Sequence, residues 1–400
     1  MDLAADVCWF HHGYWKIRYP SKMTLLCQSR PFLEWHVRRR LAALPNVTWR
    51  HATAVTNLLS NAARTRVTGV QLQQTDQSAA YQEIPADLVV DASGYGSRLP
   101  DWLTALQYPV PWASTLQIGL TYTSRFYQQP AMPHDWSALV LFPKAPESTR
   151  AGDLFPVEGQ RWIVSLVGYM GDTPPSDETG FLAYARRLEQ PDIYHAISQA
   201  VPLSGMQAYH VPEIRWRHYE KLRRFPDGLL VVGDAVCRFD PIFGQGMSVA
   251  AQEAHLLEQM LHTEGRQGNV ALTGFASRFH RAMARVVAVP WSLATNEDCR
   301  YPQAIGPRPR GLSLQQWYVA QLFALSATYP EVYGPFLEVM NLLEGPRILF
   351  APSILWQVLK QSLRKRHHRP TAVSRPLFPS EDGMCGNGYT ATPSTSRRQD

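Results

Sequence analysis

The chain has 400 residues, 45% of them hydrophobic, which is enough for a large core shared between two or three domains. Its net charge of +6 is only mildly basic, and no arginine–aromatic repeat, zinc spacing or helix-turn-helix pattern accompanies it, so a nucleic-acid partner is excluded. Five scattered cysteines (Cys8, Cys27, Cys237, Cys299, Cys385) form no CxxC pair or disulfide ladder, and no signal peptide or bilayer-length apolar stretch is present, which points to a cytoplasmic protein.

In chain order, Ser29-Arg30-Pro31-Phe32-Leu33-Glu34 opens a helix running to Leu44. Thr48 to Leu59 and Val67 to Leu72 alternate as a strand pair around a polar turn near Ser60 to Arg64. Leu88 to Asp91 is a buried strand that runs into a glycine turn, Ala92-Ser93-Gly94-Tyr95-Gly96. Stretches 116–123, 138–142 and 161–169 then read as strands between proline-rich turns, suggesting an antiparallel sheet. A helix starts over Thr179 to Arg187, and Gln207 to Tyr219 is the last strand of this block. Leu229 to Val232 is again a short apolar strand, ending at Gly233-Asp234-Ala235. A loop with Pro241 leads to Gly244-Gln245-Gly246, followed by a helix carrying Met247, Val249, Leu256, Leu257 and Leu261. Further helices are expected over 272–294, 312–328, 333–344 and 348–363, the last running into Arg364-Lys365-Arg366-His367-His368-Arg369. Beyond Pro370 the composition is that of a disordered tail.

Strand, acidic tip, proline loop and glycine-opened helix together make a cofactor cradle. An aspartate at a strand's C-terminal end accepts hydrogen bonds from sugar or ribitol hydroxyls. Glycines let a flat ring approach the backbone, and a helix N-terminus stabilises negative charge in front of it. The pattern Gly-Asp-Ala-x5-Pro-x2-Gly-Gln-Gly at 233–246 resembles the second FAD motif of flavoprotein monooxygenases of the para-hydroxybenzoate hydroxylase and squalene epoxidase type. Residues 86–100 resemble the middle motif of the same family, with Ser93 where that motif has an aspartate.

The resemblance implies an α/β protein: an incomplete Rossmann-like FAD domain with an inserted antiparallel substrate sheet and a helical C-terminus. The corresponding boundaries are 1–104 and 226–294 for the two parts of the FAD domain, 105–225 for the sheet, 295–369 for the helices and 370–400 for the tail. It implies that Arg30 reaches the phosphate or ribose side of FAD, that Asp91 and Gly94 belong to the middle-motif turn, and that Gly233 and Asp234 meet the ribitol. Pro241, Gly244, Gln245, Gly246 and Met247 would lie beside the isoalloxazine. The implied chemistry is reduction of FAD by NAD(P)H, formation of a C4a-hydroperoxide and oxygen transfer to substrate. No metal site is expected, because adjacent histidines such as His11-His12 seldom point the same way.

Tyr122, Phe126, Tyr127, Phe142, Trp162 and Tyr169 in the sheet favour a small apolar or aromatic substrate, and the Asp-Ala-Ser-Gly turn leans towards epoxidase-like members. A flavin-dependent reductase and a halogenase are the alternatives within enzymes. The family's opening Gly-x-Gly-x-x-Gly turn is not found among these residues. A further reading is therefore a truncated, inactive fragment, or a subunit whose partner chain completes the FAD domain; the strand at 229–232 would then expose an unpaired apolar edge. The C-terminal helix and its basic cluster leave two expectations, a peripheral contact with anionic membrane or a packed helix with a solvated end.

Overall fold

A computed structural model describes residues 1–75, 81–131, 134–266 and 272–363. Its elements are β1 (Val7–His11), β2 (Tyr14–Trp15), α1 (Arg30–Ala42), β3 (Thr53–Ser60), β4 (Val67–Gln74), β5 (Tyr81–Pro85), β6 (Val89–Asp91), α2 (Leu99–Ala105), β7 (Ala113–Gln128), β8 (Ala138–Leu141), β9 (Arg150–Val157) and β10 (Arg161–Gly168). They continue with α3 (Glu178–Arg186), α4 (Asp192–Ile197), β11 (Gln207–Arg217), β12 (Leu229–Val231), β13 (Cys237–Arg238), α5 (Gly246–Arg266), α6 (Phe275–Asp298), α7 (Leu312–Leu325), α8 (Pro330–Met340) and α9 (Pro352–Leu363).

Eight strands form one sheet in the order β13-β11-β7-β10-β9-β8-β1-β2. Its centre is antiparallel, with Trp162 opposite Tyr127 and Val164 opposite Arg125 across β10 and β7. Alternation divides the side chains between two faces. One face packs Leu154, Trp162, Val164 and Leu166 under Phe181 and Tyr184 of α3 and Ile193 of α4. The other gathers Leu116, Ile118, Leu120, Val167 and Tyr169 against Cys299 and Tyr301. The inserted sheet is therefore present, and it is larger than the sequence suggested. Strand β9 was missed because Gly152, Asp153 and Pro156 interrupt its apolar pattern. The first residues differ too: β1 pairs in parallel with β8, Val7 opposite Ala138, so residues 7–15 belong to this sheet and not to the nucleotide half.

The nucleotide half holds the hairpin sheet β3-β4-β5 and a two-stranded parallel sheet, β12 beside β6, with Leu229 opposite Val89 and Val231 opposite Asp91. The expected bare edge on β12 is not there. Leu229, Leu230 and Val231 are fully buried, and the N–H of Val231, on the side away from β6, donates to His280 Nε2 of α6 at 3.2 Å. The open edge falls on β6, whose Val90 is 40% exposed.

Helices α7, α8 and α9 close around Leu322, Phe323, Val332, Tyr333, Phe336 and Ile354. The helix expected over 348–363 is split into a 3-10 turn at Pro346–Phe350 and α9. Pro352 disfavours the helical region for the residue before it, and Ala351 is extended accordingly, with ψ 144. Ile354 and Val358 of α9 are buried, whereas Leu355, Trp356, Leu359 and Leu363 face outward. The basic cluster at 364–369 and the tail from 370 lie outside the described residues. Among the described residues no helix is long and apolar enough to cross a membrane.

Candidate functional site

Parallel pairing of β6 with β12 sets the C-terminal ends of both strands side by side. Each then turns on a glycine in a left-handed conformation, Gly94 with φ 82 and Gly233 with φ 63, which other residues adopt at a cost. Asp91 closes the first turn. Its carboxylate accepts from the N–H of Ser93 at 2.9 Å, from Ser93 Oγ at 2.5 Å and from Ser97 Oγ at 2.5 Å, so it shapes the loop from within.

The second turn carries Asp234. Partial burial raises its carboxyl above the ordinary range, and the charges of Arg238 and Arg30 act in the opposite direction. Arg30 arrives there because the start of α1 is pinned. Ser29 caps the helix by accepting from the N–H of Phe32, and its own N–H and hydroxyl donate to Glu158 at 2.9 and 2.7 Å. Tyr95, which the sequence did not single out, joins the two turns to the large sheet. The guanidinium groups of Arg215 and Arg238 stand 4.1 and 4.4 Å from its ring centroid, and its hydroxyl donates to Glu213 at 3.1 Å.

The proline loop is fixed by Asp240, fully buried, which accepts from the N–H of Ile242 at 2.9 Å and from the hydroxyl of Tyr169 at 2.8 Å. Pro241 opens a 3-10 turn that ends at Gly244, φ 64, and Gly246 begins α5. Met247 is 61% exposed beside it. Gln245 behaves differently from its neighbours: its side chain turns inward and donates to the Met340 carbonyl at 2.9 Å, anchoring the loop to α8.

These residues suit a flat, anionic cofactor. A Cβ placed on Gly94, Gly96, Gly233, Gly244 or Gly246 meets nothing within 4 Å, so five glycines border open space. Gly246 begins α5, and the first N–H groups of a helix have no acceptor within it. Glu253 was also missed in the sequence. It lies on α5 four residues after buried Val249, and that spacing on an otherwise apolar side was the available signal. It accepts from the Gly233 N–H at 2.6 Å.

Behind the loop lies a cavity of about 410 Å³, walled by Trp9, Val140 and Ile163 of the large sheet, by Phe142 just past β8, and by Ile242, Phe243 and Gly244. The histidine pair departs from expectation. His12 occupies a turn with φ 53, so the strand alternation fails and the rings of His11 and His12 come within 4.9 Å. Glu297 completes this cluster with ligand atoms within 4.8 Å of one another, but the Glu297 oxygen that meets His12 also accepts from Arg300 at 2.8 Å, which satisfies its charge.

Residues 16–288 match the family model described as FAD binding domain. The chain belongs to that family. The match agrees with the FAD motifs that the sequence resembles. The chain is 32% identical over 350 residues to Protein Rv3254 of Mycobacterium tuberculosis, covering 86% of this chain and 72% of that one. The fold is similar to the flavin-dependent brominase Bmp2, at 14% identity and TM-score 0.54 over 91% of this chain and 83% of that one. It is also similar to PqsL of Pseudomonas aeruginosa, a probable FAD-dependent monooxygenase, at 16% identity and TM-score 0.52 over 74% and 79%.

Proposed function

We propose that this flavoprotein is a monooxygenase that hydroxylates or epoxidises a small apolar or aromatic substrate, with NAD(P)H as the reductant. The observation that carries the reading is the mainly apolar cavity, with Gln28 and Asn341 also in its wall, that includes Ile242, Phe243 and Gly244 of the proline loop. FAD, when bound, supplies the activation of dioxygen. The protein's part is to bind and orient. Asp234 would accept from ribitol hydroxyls, Arg30 would meet a phosphate, and the N-terminus of α5 would face the electron-rich edge of the ring. Trp9, Phe142 and Ile163 would hold an apolar guest and exclude water from it. The pyrophosphate side would be completed by a further polypeptide segment, a reading supported by α1, none of whose residues is buried.

The test is an absorbance spectrum of the purified chain after FAD addition and removal of the excess, followed by aerobic NADPH oxidation and product analysis. A retained flavin band that Asp234→Ala abolishes supports the cofactor site, and unchanged retention in that variant sinks it. Bromide-dependent products in place of oxygenated ones would replace monooxygenation with halogenation.

A further inference from the structure

Among the described residues, the C-terminal helices leave an apolar face uncovered. On α9 the outward residues Leu355, Leu359 and Leu363 follow one another at intervals of four, with Trp356 beside them, so they form one stripe along the helix. Ile354 and Val358, on the other side, hold α9 to the core. Leu363 is 83% exposed and Trp356 58%. The stripe continues onto two neighbouring elements. Leu314 and Trp317 of α7, Phe350 of the 3-10 turn and Leu355 of α9 line a common recess, and all four are exposed. Phe350 also stacks on Tyr318 of α7, with ring centroids 5.0 Å apart. Single apolar residues are ordinary on a surface, but a continuous patch marks an interaction site.

We propose that this face docks on the surface of an anionic lipid bilayer. Charge selects the occupant. From 310 to 330 and from 345 to 369 the sequence holds no aspartate or glutamate. Arg310, just ahead of α7, Arg347 of the 3-10 turn and Lys360 of α9 are exposed, and the sequence after α9 continues with Arg364-Lys365-Arg366 and Arg369. The acidic residues of this block, Glu331, Glu338 and Glu344, fall on α8 and the turn after it. A second copy of the chain on this face would set like charges against each other across a twofold axis. An anionic bilayer meets both features, taking the apolar stripe into its acyl boundary and the basic residues among its headgroups. The side chains suit that depth. Tryptophan favours the interface, and the Lys360 ammonium lies 5.2 Å from the Trp356 ring centroid, so a long apolar stem lies beside the stripe while its charge stays at the polar level.

This inference does not rest on flavin binding, and its test reads membrane binding alone. The full chain is mixed with vesicles of phosphatidylcholine, and with vesicles of equal parts phosphatidylcholine and phosphatidylglycerol, and the bound fraction is measured by sedimentation. Binding to the anionic vesicles should be about a hundredfold tighter and should weaken as salt is added. Leu355→Ser together with Leu359→Ser, at two exposed positions, should weaken it about tenfold or more. Replacing Arg364, Lys365, Arg366 and Arg369 by glutamine should remove most of the anionic preference. Lipids brominated on their acyl chains should quench tryptophan emission, and Trp317→Phe with Trp356→Phe should lose that quenching while still binding. Absence of binding, equal affinity for the two kinds of vesicle, or quenching that survives in the phenylalanine variant would overturn the proposal. So would a chain indifferent to lipid whose serine variant turns a dimer into a monomer, the result expected if a second copy covered the face. The quenching result decides even if the serine variant does not fold.

Discussion

Glu253 of α5 accepts a 2.6 Å hydrogen bond from the backbone N–H of Gly233, so the helix that starts at the glycine loop also holds the tip of β12. The carboxyl is 1% exposed. Burial raises it from 4.5 to about 7, the Gly233 N–H opposes the shift and the charge of Asp234 adds to it. A raised carboxyl means that the folded protein holds a proton which the unfolded chain has released. Stability should therefore be greatest below pH 4.5, as far as this group is concerned, and fall as pH rises through 7, by about 3 kcal/mol in all. In Glu253→Gln this contribution should vanish, and melting temperatures at pH 5 and pH 8 should converge relative to the unaltered protein. An undiminished pH difference in the variant would refute the assignment.

His280 titrates in the opposite sense. Burial lowers it from 6.5 to about 3, while its Nε2 accepts from the Val231 N–H. A lowered histidine means the folded protein resists a proton that the unfolded chain takes up. Its contribution is intact above pH 6.5 and is lost as pH falls towards 3, amounting to about 5 kcal/mol at the end of that range. Urea unfolding at pH 7 and pH 4.5 should show a smaller acid penalty in His280→Gln, whose amide oxygen can take over the acceptor role. His280→Leu should instead lose about 1–3 kcal/mol at pH 7, because the Val231 N–H is stranded.

Gly244 separates stability from cofactor retention. Its φ of 64 is left-handed, yet a Cβ there would meet nothing within 4 Å. Gly244→Ala should cost about 1 kcal/mol of backbone strain, a shift of a few degrees in melting temperature. The methyl group projects into the space assigned to the ring, so FAD retention should fall far more than stability does. Parallel thermal and absorbance measurements would show it. Equal, small losses in both would place the ring elsewhere.

The parts of the fold that were legible in the sequence are those whose signal is local. Leu229 to Gly246 could be read because a buried strand, a glycine turn and a helix start each leave a mark within a few residues. The same holds for the turn at Gly94 and for the cap at Ser29. What could not be read depends on distant partners. Nothing near Val7 announces that it will pair with Ala138, and nothing near His280 announces a strand edge 49 residues back in the chain (its N–H donor is Val231). Asp91 ends β6 and Gln245 precedes α5, and their side chains turn towards protein partners, Ser93 and Ser97 for one and Met340 for the other. Residue type fixes what a side chain can do, and only packing fixes which way it points.

The turn carrying Asp234 is strung between two sheets. Residues 232–236 leave β12 of the small parallel sheet and run straight into β13, where Cys237 pairs with Trp216 of β11 at the edge of the large one. A guest that shifts the large sheet must therefore drag the cofactor turn along with it. With substrate and flavin bound as proposed above, the five-residue stretch of backbone (232–236) would be a mechanical connection between them without direct contact.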